Sequence, residues 1–177
     1  MDQRKIYAFS IALIVICLAF VFRWYKNQNP REYYSVNIQP NLGNVGSEHT
    51  HMSLLVFIYG KTFDFSTEQF QLKSDYTHFE DGDGITIHKH AKGVTLLLLL
   101  RSLGMEISSD CFTVNDKTRY CTDNNKTLKT YLNRKLFMDW ETYELQQDDK
   151  ILIDYGISTD TDIGLRLNSI PDLPDDL

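Results

Sequence analysis

Apolar and polar positions divide the chain into segments of different kinds. Residues 6–22, IYAFSIALIVICLAFVF, form an uninterrupted apolar run without a charge. Residues 27–48, NQNPREYYSVNIQPNLGNVGSE, are polar and hold two prolines and two glycines, the composition of a linker. Met52 to Tyr59 is a continuous apolar run closed by Gly60-Lys61, and Thr62 to Phe65 then alternates. That pattern predicts a β-hairpin, with residues 70–72 continuing its second strand. SDYTHFEDGDG, residues 74–84, reads as loop, and Ile85 to His88 reads as extended.

One soluble helix stands out. Thr95 is placed to cap it, Leu96 to Leu103 are strong helix formers, and Gly104 sits where a left-handed terminating glycine belongs. Its five consecutive leucines exceed a one-faced stripe, so the helix must be buried on more than one side. Further on, CFTVNDKTRYC reads as a short polar loop and LKTYL (residues 128–132) as a strand, with a turn at Asn133-Arg134-Lys135. Residues 143–145 read as a short edge element, 147–150 as a turn, and ILIDY (residues 151–155) as a final strand ended by Gly156. A hairpin, a helix and then two or three strands make an α+β domain with one helix crossing a mixed sheet.

The run at 6–22 changes this picture by adding a membrane. It is at the short end of what spans a bilayer as a helix, and Trp24 and Tyr25 fit an aromatic interface belt. FRWYKNQNP follows without a small-residue cleavage site, which favours an uncleaved single-pass anchor over a signal peptide. Arg4 and Lys5 flank one side and Arg23, Lys26 and Arg31 the other, so charge does not fix the orientation. The expected organisation is an anchor (1–26), a linker (27–48), an α+β domain (49–156) and an acidic, solvated tail (157–177).

Charge and cysteines narrow the setting. The formal net charge of -6, with no Lys/Arg cluster, argues against a nucleic-acid surface. Cys17 lies within the anchor, leaving Cys111 and Cys121 in the soluble part. An even pair suits a disulfide in an oxidising compartment, outside the cytoplasm, with two reduced buried thiols as the alternative. Asn125-Lys126-Thr127 is a glycosylation sequon compatible with export.

The order of elements, with LKTYLNRKL followed by YELQQDDKILIDYG, loosely resembles the end of β-grasp domains. Asn133-Arg134-Lys135 replaces their glycine turn, and Gln147-Asp148-Asp149 their Gly-Asp turn. HTHMSLLVFIYG, HFEDGDGITIHKHAKGVTL, the two cysteines and ILIDYG together resemble a family of small membrane-anchored archaeal extracytoplasmic proteins with paired His-x-His motifs. The resemblance covers nearly all of the soluble part. Some members of that family are described as protein disulfide isomerases.

The histidines carry the chemistry. Four of the five fall into His49-x-His51 and His88-x-His90, each bordering a predicted strand. Residues two apart on a strand share a face, so each pair can aim two imidazoles at one point. His78 adds a fifth, with Glu80, Asp81 and Asp83 nearby. Three or four neutral imidazoles suit zinc or copper(II), and added carboxylates would also admit iron or manganese. The competing reading is structural or solvent-exposed histidines. The DGDG at residues 81–84 lacks the distal glutamate of a calcium loop and reads as a turn.

Three function classes follow. The first is a membrane-anchored, extracytoplasmic domain binding copper or zinc for storage, delivery or sensing, with Glu80 the nearest general base should it be catalytic. The second is a non-enzymatic accessory subunit packing against other membrane-protein subunits, for which Ala8, Ser10, Ala12 and Ala19 offer small helix faces. The third, thiol–disulfide exchange, fits least: redox-active pairs are typically Cys-x-x-Cys at a helix N-terminus, and this spacing differs. No nucleophile elbow, phosphate-binding glycine loop or H-E-x-x-H motif is present.

Overall fold

The computed structural model describes residues 14–21, 23, 41–115 and 118–174. Among them no helix is long and apolar enough to cross a membrane. The predicted anchor lies largely outside the described residues; within it, residues 14–21 are helical and exposed. Most of the predicted linker is likewise outside. Its last residues are not a free linker, because Leu42 packs on the domain and the Gly43 N–H donates to the Lys92 carbonyl.

The domain is α+β. Strand β1 (Thr50–Ile58) turns through Tyr59 and Gly60, both at positive φ, into the two-residue strand β2 (Lys61–Thr62). The predicted hairpin is therefore real but short: after Thr62 the chain leaves the sheet, and a single 3₁₀ turn covers Glu68–Phe70. Strands β3 (Thr77–His78) and β4 (Thr86–Lys89) follow, then helix α1 (Leu96–Ser102). Next come β5 (Met105–Ile107), β6 (Cys111–Val114), β7 (Thr118–Cys121), β8 (Thr127–Leu132), β9 (Lys135–Leu136) and β10 (Lys150–Gly156). Helix α2 (Asp160–Ser169) closes the order.

The main sheet runs β3-β4-β1-β10-β8-β9, with β2 also on β1. β1 and β10 are parallel neighbours at its centre, and the other pairs are antiparallel. Both faces of β1 are covered, which is why it reads as a continuous apolar run. Met52, Leu54 and Val56 face α1 and the main core, with Ile151 and Ile153 of β10. Leu55 and Leu152 face the other way, against Ile163 and Leu167 of α2 and Ile170 just beyond it. α1 begins as its sequence requires, with the Thr95 side chain accepting from the Leu98 N–H, and Leu96 to Leu100 are all buried.

Two expectations are corrected. The stretch between the cysteines is not a loop but the hairpin β6–β7, which with β5 makes a second, three-stranded sheet. Cys111 and Cys121 are cross-strand partners on it and form a disulfide, with Cα atoms 4.1 Å apart. The expected solvated tail contains α2. Its start is fixed by a capping box in which Thr159 and Asp162 satisfy each other's backbone N–H.

The disulfide closes a short loop on the second sheet, whereas the histidines lie on or beside strands of the main sheet. Replacing both cysteines by serine is expected to lower unfolding stability by about 2–3 kcal/mol. Metal uptake should be unchanged, as read by denaturant melts and metal titration of the same preparation.

Candidate metal centre

Strand register assembles the histidines. His51 on β1 is the direct partner of His88 on β4, and His78 on β3 is the direct partner of His88 on its other side. The three therefore form a row across neighbouring strands on one face of the sheet. His90 and His49 lie two residues farther along β4 and β1, so the same register brings them opposite each other on the same face. β1 begins at Thr50, so His49 immediately precedes the strand. The two His-x-His pairs converge.

The imidazoles close into a ring of contacts. Ring centres are 4.6 Å apart for His51–His88, 4.8 Å for His49–His51 and for His49–His90, 4.9 Å for His78–His90 and 6.1 Å for His78–His88. One ligand nitrogen from each of His49, His51 and His88 can be chosen so that all lie within 4.8 Å of one another. His51 and His88 are buried, and His49 is exposed at the rim. This is the face that α2 covers further along, past its C-terminal end, where Ser53 donates to the Pro171 carbonyl.

Two buried ring nitrogens, His51 Nε2 and His88 Nδ1, make no hydrogen bond. A buried, unpartnered polar atom costs about 1–3 kcal/mol unless something satisfies it. The two atoms belong to residues paired across the sheet; His88 Nδ1 has a Glu80 carboxylate oxygen 3.2 Å away, whereas His51 Nε2 is left without a hydrogen bond. The backbone of His51 is held by the turn before β10: its N–H donates to Gln147 Oε1, and its carbonyl accepts from the Asp148 N–H. The Gln147-Asp148 turn thus holds the backbone of a candidate ligand.

Electrostatics favours the neutral form of His51, His88 and His90. Burial lowers the affinity of His51, His88 and His90 for protons, and the neighbouring imidazoles lower it further; Glu80 works in the opposite direction. Burial pushes the Glu80 carboxyl up, but His88, His78 and His90 outweigh it, and the net shift is downward. Neutral imidazoles and an ionised carboxylate are the ligand forms of a divalent transition metal.

The pH dependence of the metal-free protein follows. Histidines whose folded affinity is depressed below the ordinary value of 6.5 bind protons less well folded than unfolded. Their contribution to stability is full at higher pH and is lost as pH falls through 6.5 toward the folded values. Glu80 adds to the loss below its ordinary 4.5, being depressed as well. Thermal melts should therefore show the melting temperature falling from pH 7 to pH 5. Replacing His51 by glutamine should flatten that fall.

Of the carboxylates near His78, only Glu80 reaches the cluster by direct contact, 3.2 Å from both His78 Nε2 and His88 Nδ1. Asp83 is taken by its turn, accepting from the Ile85 and Thr86 N–H groups, and Asp81 is an exposed turn residue at positive φ. The DGDG segment is a turn, as its spacing requires. Sequence reasoning missed Lys89, which lies between His88 and His90 in the chain but points to the opposite face. It is fully buried there, with its ammonium bonded to Glu48, Glu144 and the Leu145 carbonyl.

No family model, curated protein or solved structure matches this chain.

Proposed function

We propose that this protein binds a transition-metal ion, copper or zinc, through His49, His51 and His88, with His90 and His78 beside them. The observation that carries the reading is the convergence of His49, His51 and His88, whose ligand nitrogens lie within 4.8 Å of one another, with the buried His51 Nε2 making no hydrogen bond. Imidazole-only donors suit copper(II) and zinc better than magnesium or calcium, which take oxygen ligands.

The ion is held on the outer side of a membrane, by a domain tethered through residues 6–22. The uncharged sequence of that stretch supports the tether, and the Cys111–Cys121 disulfide supports an oxidising compartment. The parallel β1–β10 pair flanked by antiparallel strands, with α1 entering between β4 and β8, supports the β-grasp resemblance. Binding for storage or delivery accounts for these features without a catalytic step. A disulfide between two strands, with no helix N-terminus beside it, gives no support to thiol–disulfide exchange.

Elemental analysis tests the reading. The full chain, purified without an affinity histidine tag and dialysed after exposure to copper or zinc, should retain at least one equivalent. Retention of neither metal would leave the histidines as structural residues.

A further inference from the structure

The centre formed by His49, His51 and His88 does not use every ligand that the sheet brings together. His78 Nδ1 lies 2.6 Å from the Ser74 carbonyl oxygen, so Nδ1–H donates to it. In the neutral ring this leaves Nε2 with a free lone pair, the arrangement by which metal-bound histidines are commonly oriented from behind. That lone pair does not face a donor. It faces Glu80 Oε2 at 3.2 Å. The other oxygen of the same carboxylate, Oε1, lies 3.2 Å from His88 Nδ1, a buried nitrogen that makes no hydrogen bond.

The distance has a simple meaning. Two ligand atoms on one tetrahedral ion, each about 2.0–2.1 Å from it, stand about 3.3 Å apart. Each oxygen of Glu80 is thus at the spacing of two atoms that share an ion, and each shares with a different imidazole. A carboxylate disposed in this way is placed to bridge two ions. His90 supplies the third ligand of this set, its ring centre 4.9 Å from that of His78 and 6.4 Å from that of His88.

We propose that His78, His90 and Glu80 form a second divalent-metal position adjacent to the first, with Glu80 bridging the pair through Oε2 to the second ion and Oε1 to the His88-bound ion. The proposal rests on the reading of His49, His51 and His88 as the first position. With neutral imidazoles and a single carboxylate as protein ligands, the two ions retain most of their positive charge. The chemical class that fits as a further bridging ligand is a small anion, hydroxide or an oxyanion, approaching from the rim where His49 is exposed.

Copper(II) titration of the full chain, followed by metal content and electron paramagnetic resonance, tests this. The expected result is two equivalents bound. The first should give an ordinary copper(II) spectrum, and the second should diminish the signal through magnetic coupling across the bridge. Glu80→Gln and His78→Ala should each bind one equivalent with the ordinary spectrum, and that retained ion also shows that the variant is folded. One equivalent in the unsubstituted protein, unchanged by either variant, would overturn the second position and leave the first intact; His78 and Glu80 would then be a hydrogen-bonded pair only. Loss of all copper in either variant would also overturn it, making both residues ligands of a single ion. No copper bound by the unsubstituted protein would overturn both readings.

Discussion

Replacing His51 and His88 together by alanine is expected to abolish retention of copper or zinc, with a loss of affinity greater than about 100-fold. Even an outer partner of a metal ligand contributes about 10–100-fold, and this substitution removes both buried nitrogens of the first position. The effect should appear in a competition titration against a chelator of known affinity. Stability should respond differently. Truncating two buried rings leaves a cavity, but it also removes two buried nitrogens that make no hydrogen bond in the metal-free protein. The metal-free variant should therefore lose less stability than two large-to-small core substitutions would, each costing about 2–5 kcal/mol. The metal-induced rise in melting temperature should vanish, because only a folded chain that binds the ion is stabilised by it. Replacing the exposed Lys61 and Lys135, both outside the site, should leave that rise in place.

The largest purely structural effect is expected at Lys89. Its side chain is completely buried, and its ammonium lies 2.7 Å from Glu48 Oε2, 2.9 Å from Glu144 Oε1 and 2.7 Å from the Leu145 carbonyl oxygen. Its three protons are matched by three oxygens. Glu144 Oε1 also accepts from the Gly93 N–H, which ties the approach to α1 into the same knot. Gly93 is at positive φ there, and a Cβ would meet the Asn41 carbonyl oxygen at 2.8 Å, so that approach tolerates little rearrangement. Lys89→Met keeps the length of the side chain and removes the charge, leaving two carboxylates facing a carbonyl. Breaking a buried pair from one side costs about 3–5 kcal/mol, which in a domain of this size lowers the melting temperature by on the order of 10–20 °C. The exposed pair Lys126–Asp123 is the contrast: its removal should cost no more than about 1 kcal/mol. Lys89 also lies between two candidate ligands, His88 on β4 and His90 just past its end. A strand that loses this anchor should hold His88 and His90 less firmly, so weaker metal binding should accompany the loss of stability.

What the sequence revealed and what it concealed both have physical reasons. β1 and α1 are legible because each carries strong local signals that agree with its final environment. β1 is apolar on both faces since it lies centrally in a sheet covered on both sides. α1 has a threonine cap, a run of leucines and a terminating glycine. α2 was hidden by its charge. Ile163, Leu167 and Ile170 do carry helical spacing, and Thr159 with Asp162 is a capping pair, but they stand among five aspartates in a stretch whose composition reads as solvated. The β6–β7 hairpin was hidden because its strands are short and its polar residues alternate with only two buried apolar ones, Phe112 and Val114.

The site divides along the same line. That each His-x-His pair shares a face follows from the two-residue period of a strand. That the pairs meet does not, because it depends on His51 being opposite His88 and on His88 being opposite His78. A shift of one residue in either pairing would have sent one histidine to the core face instead. Local sequence does not carry that register; the two-sided burial of β1 and β4 does. Ile87 packs in the main core, so His88 has to face the other way. The role of Glu80 is legible only afterwards, since His78-x-Glu80 places both on one face but gives no hint that the carboxylate reaches two imidazoles.

Binding of a metal ion by imidazole nitrogens leaves a distinct spectroscopic signature. X-ray absorption at the metal edge of the copper- or zinc-loaded protein tests it most directly. The expected spectrum has nearest donors at about 2.0–2.1 Å with outer-ring scattering from at least three imidazoles, which the His51→Ala/His88→Ala variant lacks. A shell of oxygen donors without imidazole scattering, or a spectrum unchanged in that variant, would contradict it.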